Sequence, residues 1–387
     1  MLRSALLLFA LAAAAAPAQD NPSAGCQNCL GTGFLPCKQH GKLLDKEKAV
    51  QFCSVAGECK ACSGALQVDC KQCRNPKVED ELAARVKLVQ EWRQDRKTKV
   101  DDIAKGQPLL HLKTEHFDLS YGLRPLTIGK DKLDPHACMH IYGERIEALR
   151  AQFVELLGVG EREQEGRLQV FMQRDLQGHQ NLAPVVTDGL GGGVAVGVKV
   201  MGLLSVYCMW QEPRSLPDDE AVHRNILHNV THLLLCNMKP EGVLYDKHAG
   251  WIDEGFAHWW EDKITGKCTN FCYEEVLMQP GATFKGGHWR PAVRKLVDEG
   301  KLTSFATLAT KNTDQLDFPE HAESFALVDW LLTVHGGPKF KTFAIMVKSG
   351  KATRDALQAV YGLTPLAVDN EFTTWVKANY SPLDPPR

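Results

Sequence analysis

Cysteine placement constrains this chain more than any other feature. Eight of its thirteen cysteines fall between Cys26 and Cys73, and the other five are scattered over the remaining three-quarters. In the crowded stretch the residues pair as Cys26-x-x-Cys29, Cys37-x-x-His40, Cys59-x-x-Cys62 and Cys70-x-x-Cys73. Two such pairs supply four ligands at tetrahedral zinc spacing, and the glycines that follow, in CLGTG (29–33) and CSG (62–64), let the backbone turn beneath an ion. A module of roughly 50 residues is too small for an apolar core alone to hold it. Disulfides are the alternative staple, since an oxidising compartment favours them and eight, counting Cys53, is an even number. Zinc is the stronger reading, because His40 fills a slot that a disulfide does not use. The spacing leaves open whether each half holds its own ion or the pairs cross between halves.

The first residues predict export. Arg3, the apolar run Ala5 to Ala15 and the small-residue site Ala16-Pro17-Ala18 read as a signal peptide over 1–18. That run is short for a membrane span, and no later segment is long and apolar enough to be one. A secreted or periplasmic protein is therefore expected. The net charge of -2, without a basic stripe, argues against nucleic acid as a partner.

After the cysteine-rich module (24–76), residues 77–107 carry dense mixed charge. Leu82, Val86 and Val89 recur there at helical spacing, which predicts a charged helical linker. Residues 108–380 read as one larger domain, strands first and helices after. Leu110 to Tyr121 (LHLKTEHFDLSY) alternates like a strand, and Asp134-Pro135 opens a helix through Leu157. Arg167 to Met172 predicts a second strand, and Gly191 to Tyr207 a third with room for a fourth. Helices follow at 218–237, 253–264, 321–335, 339–349, 353–361 and 365–379. The fold class is α+β.

Two segments in the helical part carry chemistry. DEAVHRNILHNVTHLLL (219–235) sets His228 and His232 one helical turn apart on one face. WIDEGFAHWWE (251–261) begins 19 positions after His232. Together they resemble the gluzincin metallopeptidases, whose third-ligand segment has the form W-x-[ND]-E-G-x-A-x-x-x-E. By that resemblance Glu254 matches the metal ligand, which completes a His/His/Glu catalytic zinc set with a fourth position open, and Glu261 matches a glutamate just outside the ligands. Thr114-Glu115-His116-Phe117 and HAESFALVDWLL (321–332) extend the likeness to the peptidase MA-like group over about 108–380. The cysteine module is similar to the zinc-binding region of DnaJ-type chaperones, whose repeat CxxCxGxG is complete once, from Cys26 to Gly33. These resemblances imply zinc in both regions, a thermolysin-like domain with a small sheet and a helical part, and a peptide or protein as ligand.

The departures matter as much. The motif H-E-x-x-H here reads His228-Asn229-Val230-Thr231-His232. In the family that glutamate is the general base; an amide does not hold a proton near neutral pH, and general acid–base work is worth about 10²–10⁴ in rate. The resemblance also places His321 where active relatives have an oxyanion-stabilising tyrosine; a histidine can still donate a hydrogen bond. Among Asp253, His223 and His258, the last is the best substitute base, extra ligand or partner of a ligand, one turn after Glu254 and on the same face. GLGGGVAVG (189–197) holds no phosphate-loop signature and, by resemblance, lies where the family has its substrate-pairing strand. Cys268 and Cys272 are expected to be bridged or simply buried. The leading expectation is a zinc-binding, catalytically impaired homologue that binds peptides or proteins. Its rivals are an active peptidase with a non-standard base and an interaction protein acting through the cysteine module.

Overall fold

The computed structural model describes residues 21–43, 52–107, 109–164, 166–202, 205–272 and 285–383. The expected signal peptide, 1–18, lies outside the described residues.

Two short strands organise the cysteine module. β1 (Phe34–Pro36) pairs antiparallel with β3 (Gln67–Asp69), Leu35 opposite Val68. Antiparallel pairing sets the residues before β1 beside those after β3, and the residues after β1 beside those before β3. The ligand pairs therefore cross. The module has little apolar interior of its own: Cys37, Cys59 and Cys62 form its only separate cluster among the described residues, with Val68 packed against it.

The charged stretch is helical, as α1 (Pro76–Arg96), capped by Asn75, but it does not span solvent. Arg85 donates to Ala65 O, Gln90 to Gly57 O and Ser63 O, and Arg93 to Gly57 O, so the helix lies along the module. Two glycines make the approach close. Gly33 (φ +80°) and Gly64 (φ +90°) are in the left-handed region, and a Cβ on them would lie 2.6 Å from Val78 Cγ2 and 2.5 Å from Val89 Cγ1.

β2 (Phe52–Cys53) belongs to the larger sheet, pairing antiparallel with β4 (Leu110–Lys113). β5 (Phe117–Tyr121), β8 (Leu168–Gln173), β9 (Gly197–Val200) and β10 (Val206–Trp210) complete a six-stranded sheet in the order β2-β4-β5-β8-β10-β9. β5, β8 and β10 run parallel, and β9 returns antiparallel at the edge. β6 (Thr127–Ile128) and β7 (Asp131–Lys132) form a separate small ribbon. The expected single strand over 110–121 is a hairpin instead. Thr114 Oγ1 accepts from Phe117 N and turns the chain between β4 and β5.

The main helices are α2 (Pro135–Leu157), α3 (Leu176–Val186), α4 (Asp219–Asn237), α5 (Gly250–Thr265), α6 (Trp289–Asp298), α7 (Phe318–His335), α8 (Gly337–Lys348), α9 (Thr353–Tyr361) and α10 (Pro365–Asn379). All the expected helices are present within a few residues of their predicted ends; α3 and α6 were not expected. None of the described helices is long and apolar enough to cross a membrane. The architecture is mixed α+β. α4 and α5 run through its centre, buried along nearly their whole length, and share one large core with the sheet and with Cys53, Ala56 and Leu66 of the cysteine-rich segment.

Candidate metal centre

α4 starts at Asp218, whose side chain accepts from Ala221 N. Its first residue, Asp219, takes both guanidinium nitrogens of Arg145 (2.7 and 2.9 Å) and the Tyr142 hydroxyl (2.8 Å), which tie α4 to α2. Thus anchored, α4 presents His228 and His232 to α5, which presents Glu254. All three are fully buried. The Nε2 atoms of the two histidines are 3.2 Å apart, and each faces Glu254, at 3.6 Å from Oε2 (His228) and 3.3 Å from Oε1 (His232).

A fourth atom completes the group, and it was not expected. Cys272 Sγ lies 3.2 Å from His228 Nε2 and 3.3 Å from His232 Nε2. The expectation for Cys272 is corrected in part: it is buried, but neither it nor Cys268 is bridged, and Cys272 belongs to the histidine–glutamate group. Its approach is fixed by polar contacts. Thr269 N and Asn270 Nδ2 donate to Glu261 Oε2, Arg224 Nε donates to Thr269 Oγ1, and Asn225 Nδ2 donates to Asn270 Oδ1. A cysteine eighteen residues after the glutamate has no motif to announce it; the folded loop alone brings it in.

The surroundings orient these atoms inward. Glu261 accepts from His228 Nδ1 at 2.7 Å and Asp253 from His232 Nδ1 at 2.9 Å, so both Nε2 lone pairs point at the common centre. The sequence reading expected Glu261 just outside the ligands and gave Asp253 no convincing part; the structure sets each against a histidine Nδ1. Neither oxygen of Glu254 receives a hydrogen bond among the described residues, although the carboxylate is wholly buried. A tetrahedral zinc with nitrogen and sulfur ligands separates them by about 3.3–3.8 Å, close to the spacings here. The donor set and the orphaned carboxylate fit such an ion.

The buried charges of this group lean on one another. Burial lowers the His228 pKa, but Cys272 and Glu261 outweigh it and raise the imidazole to about 9. Burial raises the Glu254 carboxyl, yet His232 and His228 hold it well below its usual range. Burial and Glu254 raise the Cys272 thiol, while Lys199, His232 and His228 bring it down to about 7. A cation entering this group displaces protons.

Asn229 faces the same region. Its amide nitrogen donates to Tyr207 Oη (3.1 Å) and Asn225 O (2.9 Å), and its oxygen accepts from Lys199 Nζ (3.3 Å). Lys199, on β9, also donates to Cys272 Sγ. His258 and His321 sit behind Glu254, fully buried. His258 Nε2 is 3.1 Å from His321 Nδ1, and each is 3.5 Å from Glu254 Oε2. His258 Nδ1 faces Glu261 at 3.4 Å. Burial pushes the His321 imidazole down to about 3, which leaves it neutral.

The cysteine module forms two tetrads. Cys26, Cys29, Cys70 and Cys73 make one; Cys37, His40, Cys59 and Cys62 make the other. The crossed contacts are Cys26–Cys70 at 3.8 Å, Cys29–Cys73 at 3.6 Å, Cys37–Cys59 at 4.0 Å and Cys62 Sγ–His40 Nδ1 at 3.8 Å. The three sulfur–sulfur distances are far longer than a disulfide and near the edge of about 3.8 Å between two sulfurs around tetrahedral zinc. Gly33 N donates to Cys29 Sγ and Asn28 Nδ2 to Cys70 Sγ, which favours the thiolate form of each.

No family model and no curated protein matches the chain. Among solved structures it is similar to a two-domain M1 zinc metallopeptidase, in a mutant form bound to L-arginine. The TM-score is 0.32 and the identity 14%, over 71% of this chain and 50% of that one. The chain thus spans about half that enzyme's length, and the likeness is too low to carry any assignment.

Proposed function

We propose that this chain is an exported, zinc-binding metallopeptidase homologue of gluzincin type that has given up hydrolysis and binds peptides or proteins. His228, His232, Glu254 and Cys272 would hold the central zinc, and the two cysteine tetrads one zinc each. Zinc with an open position supplies Lewis acidity, whereas zinc with four protein ligands supplies structure. The observation that carries the reading is Cys272: its sulfur lies where the fourth ligand of a His/His/Glu site would be, against both imidazoles. Asn229 supports it independently, because its amide is engaged by Tyr207, Asn225 and Lys199 and has no basic lone pair to offer. His258 is a poor substitute base, since its ring nitrogens face Glu261 and the Glu254–His321 pair. For the ligand, β9 is the edge strand beside α4, and its outer side has no strand partner among the described residues. An extended peptide adding to that edge is the favoured partner class.

The test is zinc content and peptide hydrolysis of the mature chain, Asn229→Glu, Cys272→Ser and the double variant. We expect the wild type and Asn229→Glu to hold zinc without cleaving, and only the double variant to gain hydrolysis. Cleavage by the wild type at the double variant's rate would sink the proposal.

A further inference from the structure

A third kind of ligand group is built from residues that belong to neither the central site nor the tetrads. Cys53, on β2, points at the first turns of α2, where His136 and His140 are one turn apart. Cys53 Sγ is 3.4 Å from His136 Nε2 and 3.6 Å from His140 Nε2, and the two Nε2 atoms are 3.1 Å from each other. The sulfur is fully buried, and the histidines are half-buried. These spacings match those of the central group, where the corresponding sulfur–nitrogen distances are 3.2 and 3.3 Å and the nitrogen–nitrogen distance is 3.2 Å.

Hydrogen bonding alone does not account for this arrangement. An imidazole Nε2 carries either one hydrogen or one in-plane lone pair, directed along a single line. Here each Nε2 has two close neighbours, the thiol and the other ring, so three mutual contacts share too few directed donors and acceptors. A cation at the point where the three atoms converge satisfies all of them at once. The ligands are one thiolate and two imidazoles, a borderline-soft set suited to zinc.

We infer that Cys53, His136 and His140 form a further zinc site, with three protein ligands and a fourth position open. The ligand geometry is that of a tetrahedral ion lacking one corner: sulfur–nitrogen edges near 3.5 Å and a nitrogen–nitrogen edge near 3.3 Å are expected for zinc, each to about 0.2 Å. The site joins two parts of the chain. Cys53 leads from the cysteine-rich segment and pairs with Leu112 of β4, while His136 and His140 belong to the helix that anchors the central one. A zinc here ties the cysteine-rich segment to α2. Its open corner also makes it the one zinc in this reading free to accept an outside ligand, such as a small anion or a thiol. The inference does not depend on the nature of the central site.

The experiment uses the full mature chain. Anomalous scattering at the zinc edge should give a peak between Cys53 Sγ and the two Nε2 atoms, besides those in the tetrads. In solution, His136→Ala/His140→Ala should carry one zinc fewer per chain by native mass spectrometry, with unchanged circular dichroism. If that variant fails to fold, Cys53→Ser carries the same expectation. A crystal with peaks in both tetrads and none at Cys53 overturns the inference, as does a folded double variant with the wild-type zinc count.

Discussion

On the proposed reading, Asn229 and Cys272 act on the central site at different atoms. Asn229 offers no group to take a proton, whereas Cys272 would take the place of a reacting oxygen on the ion. On that reading, restoring a glutamate at 229 is insufficient while the cysteine stays. Glu323, on α7, has an effect at the same scale but on stability. Burial pushes its carboxyl up to about 8, and Glu320, Asp369 and Asp317 add to the rise against the Thr303 N–H. A carboxyl held protonated in the fold is penalised wherever the unfolded chain ionises. Stability should thus fall as pH rises from about 4.5 toward 8 and change no further from this source above it. Glu323→Gln should raise stability at pH 8 by on the order of a few kcal/mol and leave it nearly unchanged at pH 4. Urea unfolding at the two pH values measures this; an equal effect at both would refute the ionisation argument.

At the scale of elements, the helix that carries His228 and His232 is held at both ends by distant residues. Arg145 and Tyr142 fix its start through Asp219, and Lys348 fixes its end. The Lys348 ammonium, from α8, is buried and donates to Leu235 O (2.7 Å), Cys236 O (3.1 Å) and Met238 O, the orphan carbonyls of the α4 C-terminus. Lys348→Met keeps the aliphatic stem but removes the ammonium from all three acceptors, of which Cys236 O keeps the Gly242 N–H at 3.1 Å. It should cost about 2–3 kcal/mol in chemical denaturation. A cost near zero would mean that water replaces the ammonium there.

For the whole molecule, the two regions differ in what holds them. The larger region has a continuous core around α4, α5 and α7, while the module's own cluster is little more than three cysteines. Stripping metal with a strong chelator should expose 21–43 and 59–75 to protease while the core helices stay protected. Fragment masses from limited proteolysis report this directly. Equal protection before and after chelation would mean that packing against α1, through Gly33 and Gly64, suffices to hold the module.

Much of this was legible in the sequence because it is local. The CxxC spacing, the i, i+4 histidines, Glu254 and Glu261 on one helix, and the helix start at Asp134 each depend on residues a few positions apart. So does Asn229, since the motif that exposes it is five residues long. What depends on long-range closure was not legible. The β1–β3 pairing crosses the ligand pairs; a seven-residue loop clamped by Glu261 delivers Cys272 to the histidines; β2 carries Cys53 to α2, more than eighty residues on. Sequence by itself determined the ligand types and their local spacing. Only the tertiary structure decided which atoms converge, because that is set by strand register and loop anchoring between residues far apart in the chain.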